Sequence, residues 1–168
     1  MKYFAPAQLF DQSTQPHIVT LIALASISAL AMNIFLPSLP SMAAYYNTTP
    51  SVMSLSVAIY LGASALLQLF SGPISDRIGR RPVILVSLVL FIIASLATIW
   101  APNAETFLAL RFVQAFAATT MVLSRAIVRD TVGKDAAASK IAYVTMGMAV
   151  APMIGPGIGG YLDKYFGW

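Results

Sequence analysis

The sequence predicts an all-α membrane protein of five spanning helices, and three observations carry that reading. Of its 168 residues, 58% are hydrophobic and only 10% are charged, where a soluble domain carries roughly 25% charged residues. Between Asp11 and Asp76 there is no Asp, Glu, Lys or Arg, and a fold in water cannot clothe so long an uncharged stretch with a hydrated surface. The uncharged runs are each close to the roughly 20 residues that a helix needs to cross the hydrocarbon core.

The first span is expected at about 18–36, ending at Pro37-Ser38-Leu39-Pro40, where two prolines oppose helix continuation and mark the membrane exit. The turn-rich stretch Tyr45 to Pro50 leads to a second span at about 52–70, with Ser51 as its expected cap. The third span, about 83–100, starts beside Pro82, where a missing amide costs little, and ends on the interfacial anchor Trp100. The short turn 101–105 precedes a fourth span at about 107–123, and a fifth follows at about 141–162. Residues 1–17 make a cytoplasmic N-terminal segment without the apolar core and small-residue cleavage site of a secretory signal. The bundle then occupies 18–168.

Orientation follows from the basic residues, since short cytoplasmic loops retain Lys and Arg. Lys2, Arg77, Arg80, Arg81, Arg125, Arg129, Lys134 and Lys140 fall on one side and Lys164 on the other, with Arg111 inside a span. The N-terminus is therefore expected in the cytoplasm. The net charge of +4 arises from these short clusters and not from a stripe with interleaved aromatics, so nucleic acid is not an expected partner.

Several function classes fall away. The chain has no cysteine, which excludes disulfides, thiol catalysis and thiolate metal sites. His17 stands alone before the first span, with no second ligand nearby, so no metal is expected. The spans contain no Ser/His, Asp/Asp or His/Glu/His constellation, so the protein is not expected to be an enzyme and no cofactor is implied. Asn47-Thr48-Thr49 matches a glycosylation acceptor, a pattern common by chance.

Chemistry concentrates in a few places. After the second span, Gly72-Pro73-Ile74-Ser75-Asp76-Arg77-Ile78-Gly79-Arg80-Arg81-Pro82 reads as a tight cytoplasmic turn. Gly72 would let a neighbouring helix approach the Asp76 carboxylate, and the arginines would rest at the lipid headgroups. An ordinary positive-inside loop explains the arginines without the spacing. Asp76 is further expected to pair with Arg125 or Arg129 in a charge cluster that latches one conformation. Arg111 is the costliest residue in the chain, at roughly 2.5–3.5 kcal/mol if central in the bilayer. Gln114, one turn on, shares its helix face. The alternative has Arg111 snorkelling to the outer headgroups. Gln68 in the second span is a second polar candidate for a cavity, or else a helix-pairing residue. Gly147, Ala151, Gly155 and Gly159 form a ridge of small residues in the fifth span, suited to close helix packing or to a hinge, with Pro152 and Pro156 adding bends.

The Gly-x-x-x-Asp-Arg-x-Gly-Arg-Arg loop resembles the signature between the second and third helices of the major facilitator superfamily. Arg111-Phe112-Val113-Gln114-Ala115 is similar to that family's fourth-helix motif, with Ala115 where glycine is frequent. Gly155-Pro156-Gly157-Ile158-Gly159-Gly160 resembles the fifth-helix motif of its proton-coupled exporters, and the stretch Asn33 to Pro40 resembles the Bcr/CflA drug-efflux branch. The resemblance implies a secondary transporter, an antiporter that exports small organic compounds or drugs against protons across a bacterial inner membrane. It places Asn33, Gln68, Arg111 and Gln114 on the substrate or proton pathway. At Asn33 the drug-efflux relatives often carry an acid, whereas an amide cannot carry a proton. No acidic residue lies in the five apolar runs, so proton coupling follows from the resemblance alone.

Members of the superfamily have two six-helix halves about one mid-membrane site. The chain is accordingly expected to be an incomplete six-helix half, a fragment whose partners are the lipid bilayer, a small-molecule substrate, protons and a missing C-terminal half or partner chain. The alternative is a short oligomerising or regulatory membrane protein without transport of its own.

Overall fold

The apolar runs do fold as helices, and the helices outlast the runs at almost every end. In the computed structural model, which describes residues 16–131 and 134–168, the elements are α1 (Ile18–Asn33), α2 (Leu39–Tyr45), α3 (Pro50–Ile78), α4 (Arg80–Thr98), α5 (Ala104–Gln114), α6 (Ala117–Thr131) and α7 (Lys134–Phe166). Among the described residues, five helical stretches are long and apolar enough to cross a membrane: 18–45, 50–78, 80–98, 104–131 and 137–166. The apolar cores of 17–22 residues set only the part that lipid tails cover; polar residues at headgroup depth continue the same helices, because hydrated side chains there cost nothing to the backbone ladder. Most of the N-terminal segment, including Lys2, lies outside the described residues.

Several local expectations are corrected. Pro37 and Pro40 do not end the first span. A 3₁₀ turn at Leu36–Ser38 carries the chain from α1 into α2, and each proline sits in the first turn of its element, where no amide is missed. Thr49, not Ser51, caps α3: its hydroxyl accepts from the Val52 amide at 3.4 Å, and Pro50 takes the first helical position. The expected loop from Gly72 to Pro82 is also largely helical, since α3 runs to Ile78 and α4 begins at Arg80. The reversal is confined to Gly79, at φ 96° and ψ 152°, a backbone region open essentially to glycine alone. The fourth span is not one regular helix. Between α5 and α6 the amides of Ala115 and Phe116 bond three residues back, to Phe112 and Val113. The fifth span is continuous through Pro152 and Pro156.

The fourth span is the hub. Half of its apolar window is buried, against 17–28% for the other four. Its α6 packs on α1, α3, α4 and α7, its α5 packs on α3 and α4, and α1 makes its largest contact with α7. Hydroxyls bridge the helices: Thr120 Oγ1 donates to the Leu24 carbonyl at 2.6 Å, and Tyr60 Oη donates to the Ser28 carbonyl at 3.1 Å. With lipid as apolar as leucine, such bonds and close backbone contact replace the hydrophobic drive between helices. Apolar side chains accordingly face outward in numbers, among them Leu69, Phe70, Ile93 and Met153.

Candidate functional site

Arg111 stands two turns inside α5 and is only 4% exposed. Its Nη1 donates to Gln114 Oε1 at 2.6 Å and to the Ala31 carbonyl of α1 at 3.3 Å. The guanidinium lies over the rings of Phe35, 4.0 Å from its centroid, and Tyr60, 4.8 Å away. Aromatic faces attract a cation more strongly where water is excluded. The side chain therefore turns into the bundle and does not snorkel to the headgroups. Its Nε and Nη2, which form one edge of the guanidinium, are buried and have no hydrogen-bond partner among the described residues. That edge presents two parallel N–H groups, the geometry that grips a carboxylate or phosphate with both oxygens.

The polar contacts extend across the bundle. Gln114 Nε2 donates to Ser95 Oγ of α4 at 3.3 Å, so the amide links the third span to the arginine. On the other side Tyr60, 2% exposed, carries the contact from α3 back to α1 through Ser28. Tyr60, Phe35 and Ser95 were not singled out from the sequence. Tyr60 was the readable signal, as a hydroxyl-bearing ring in an otherwise apolar run; the Phe35 and Ser95 contacts come only from helix packing.

The other expected pathway residues sit apart from this cluster. Asn33, the last residue of α1, spends its amide on its own helix, donating to the Ala29 carbonyl at 2.6 Å. Its Cβ faces Gly155 of α7. Gln68 lies two turns beyond Tyr60 on α3 toward the basic end, and no hydrogen bond among the described residues joins it to Arg111 or Gln114. His17 caps α1, its Nδ1 accepting from the Val19 amide at 3.3 Å.

At the α3–α4 junction, Arg80 is the centre of a charge cluster. Its Nη2 lies 2.6 Å from Asp76 Oδ1 and 3.0 Å from Asp130 Oδ2 at the end of α6, and Nη1 also donates to Ser75 Oγ. The expected pairing of Asp76 with Arg125 or Arg129 is thus replaced by pairing with Arg80. Asp76 and Arg80 are one helical turn apart across the Gly79 reversal, and the acid that reaches them from α6 is Asp130. Arg77 and Arg81 are exposed. Among the described residues nothing approaches Gly72 closely, for a Cβ there would meet no atom within 4 Å.

The ridge on α7 faces α1. A Cβ on Gly147 would fall 2.6 Å from Ile22 Cγ2, one on Gly155 would lie 3.3 Å from Leu30 Cδ1, and one on Gly160 would touch Pro37 at 3.5 Å. At Gly159 it would collide with the Ile34 carbonyl oxygen. Pro156 is half-buried beside them. Outside this ridge, Ser41 Oγ donates to Asp163 Oδ1 at 2.8 Å and ties α2 to the end of α7. Asp163, like Asp76, Glu105 and Asp130, is an acid carried at a helix end beyond the apolar cores.

Comparison with known proteins matches the chain over residues 21–168 to the family model described as the Major Facilitator Superfamily. The chain is 33% identical over 159 residues to a bicyclomycin resistance protein homolog of Haemophilus influenzae, covering 94% of this chain and 40% of that protein. It is 36% identical over 146 residues to a chloramphenicol resistance protein of Pseudomonas aeruginosa, covering 84% of this chain and 34% of the relative. With multidrug resistance protein D of Escherichia coli it shares 31% identity over 152 residues, covering 90% and 39%. The chain thus spans about two fifths of the length of the curated relatives it matches.

Proposed function

The chain belongs to the major facilitator superfamily, and from that membership we propose that it supplies the first five membrane helices of a proton-coupled exporter of small organic compounds. The observation that carries this reading is Arg111. A guanidinium buried among three spans, with one edge unpartnered among the described residues, is costly for a scaffold and serviceable for a transporter, because an anionic group arriving in one conformation and leaving in another shifts the equilibrium between them. The resistance named in three relatives supports export of drug-like compounds as the activity.

Asn33, Gln68, Arg111 and Gln114 are assigned to the substrate or proton pathway, with Tyr60 and Phe35 holding the guanidinium in place. The Arg80 cluster acts as a latch at the α3–α4 reversal, and the α1–α7 contact moves as one unit, since glycine backbones in contact leave no room to slide independently. The proton-carrying group is one of the helix-end acids or belongs to a part of the transporter outside these residues. The basic end, with Arg77, Arg80, Arg81, Arg125 and Arg129, faces the cytoplasm of a bacterial inner membrane. Alternating access needs two bundles about one site, so transport belongs to the assembly that contains these helices together with a second bundle.

The test is efflux of chloramphenicol and of other antibiotics into inverted membrane vesicles containing the complete transporter, with and without a pH gradient. Uptake that collapses when the gradient is dissipated is expected; uptake that is indifferent to the gradient removes proton coupling, and no uptake of any compound removes drug export.

A further inference from the structure

The fourth span changes its winding immediately after Gln114. The amides of Ala115 and Phe116 bond to the carbonyls of Phe112 and Val113, and those of Ala118 and Thr119 to Ala115 at 2.9 Å and Phe116 at 3.0 Å. Bonds that reach back three residues instead of four are those of a 3₁₀ turn, whose geometry is poorer than that of the α-helix. Neither proline nor glycine imposes it. Ala115, Ala117 and Ala118 are the strongest α-helix former there is, so the backbone alone favours the α form and packing holds the tighter one.

The two parts of the span are held differently. After the turn, α6 packs on α1, α3, α4 and α7, and Thr120 Oγ1 donates to the carbonyls of Leu24, on α1, and of Ala117. Before the turn, α5 packs chiefly on α3 and α4. Its buried residues are Phe107, Arg111 and Gln114, whose spacing of four and three puts them on one face. The Phe107 ring meets those of Tyr46 and Trp168, with centroids 5.9 and 6.0 Å apart, and Gln114 donates to Ser95. Arg111 reaches Ala31 through its longer bond, at 3.3 Å, and its buried Nε and Nη2 have no partner among the described residues. One face thus carries both an anchor, Phe107, and a cost, the unsatisfied guanidinium edge, that another rotation relieves.

A 3₁₀ residue turns the chain by about 120° and advances it by about 2.0 Å, an α residue by about 100° and 1.5 Å. Each residue that converts therefore rotates α5 against α6 by roughly 20°, and four of them by roughly 80° with a shortening of about 2 Å. We propose that the fourth span is a two-state screw: α5 turns on α6 about residues 115–119, and the face of Phe107, Arg111 and Gln114 leaves the bundle interior as one. The guanidinium edge then opens only when Phe107 releases Tyr46 and Trp168, because both side chains ride on one helix of 11 residues. The aromatic contacts at the far end of α5 gate the arginine. The screw is a property of the span and stands apart from drug export and from proton coupling.

The test measures distances between spin labels in the complete transporter in nanodiscs, with any cysteine outside residues 1–168 replaced. One pair joins Ala109→Cys, on the exposed face of α5, to Gly157→Cys on α7; the other joins Arg129→Cys, exposed on α6, to the same Gly157→Cys. Phe107→Ala is expected to raise the share of a second Ala109–Gly157 distance, several ångström from the first, at least twofold over the parent. Phe107→Leu, which keeps more of the space filled, is expected to raise it less. Arg111→Leu, which removes the buried charge that turning relieves, is expected to abolish it. The Arg129–Gly157 distance is expected to stay single and unchanged, which also shows that each variant is folded. The proposal is overturned by an Ala109–Gly157 distance that both Phe107 variants leave unchanged, by a second distance that survives Arg111→Leu, or by equal displacement of both pairs, the mark of a span moving as one rigid rod.

Discussion

The backbone of Gly159 on α7 approaches Ile34 so closely that a Cβ on the glycine would occupy the place of the isoleucine carbonyl oxygen. Gly159→Ala is therefore expected to force α1 and α7 apart, at a cost in the upper part of the about 1–3 kcal/mol typical of overpacking. A Cβ on Gly157, two residues earlier on the same helix, would meet no atom of the described residues within 4 Å. Gly157→Ala is expected to stay within about 0.5 kcal/mol of the parent. Thermal unfolding of both variants in detergent separates close packing from a general intolerance of the helix.

Gln114 accepts the best hydrogen bond that Arg111 makes. Gln114→Ala leaves the buried guanidinium with a weaker carbonyl partner and two aromatic faces, a loss of about 1.5–3 kcal/mol for a hydrogen bond to a charged group. Arg111→Lys retains the charge but has neither the planar stack on Phe35 and Tyr60 nor a two-pronged edge. Export by Arg111→Lys should fall at least tenfold while its melting temperature stays closer to the parent than that of Gln114→Ala. Equal export by parent and Arg111→Lys would remove the guanidinium edge from the mechanism.

The Arg80 cluster lies at the protein surface, with Asp76 62% and Asp130 46% exposed. Exposed ion pairs contribute about 0–1 kcal/mol. Asp130→Asn and Arg80→Gln are each expected to change stability by less than that, by an amount that shrinks in high salt as charges are screened. A double-mutant cycle read on transport rate, not on stability, tests the latch; additive effects on rate would mean that Arg80 and Asp130 act separately.

The absence of cysteine from these residues makes the orientation easy to check. Asn47→Cys, in the turn before α3, is expected to react with a membrane-impermeant maleimide in intact cells. Arg77→Cys, at the opposite end of α3, is expected to react only after the membrane is opened. The reverse pattern would place the basic end outside.

What the sequence determined by itself was everything that depends on a residue's own chemistry meeting its solvent. Uncharged runs of membrane length specify spans, basic clusters mark one end of the bundle, and a lone arginine among apolar neighbours announces a polar contact, because each cost is incurred residue by residue. The stretch Gly72 to Pro82 likewise announced a reversal, though not that it would be confined to Gly79. Only the tertiary structure decided which surfaces meet. That Arg111 rests between Phe35 and Tyr60, that Asp130 and not Arg125 or Arg129 completes the charge cluster, and that the α7 ridge closes on Ile34 all follow from the rotation and register of helices against one another. In an apolar solvent many registers of an apolar helix are nearly equal in free energy, and the choice is made by a few hydrogen bonds and by where glycine lets two backbones touch.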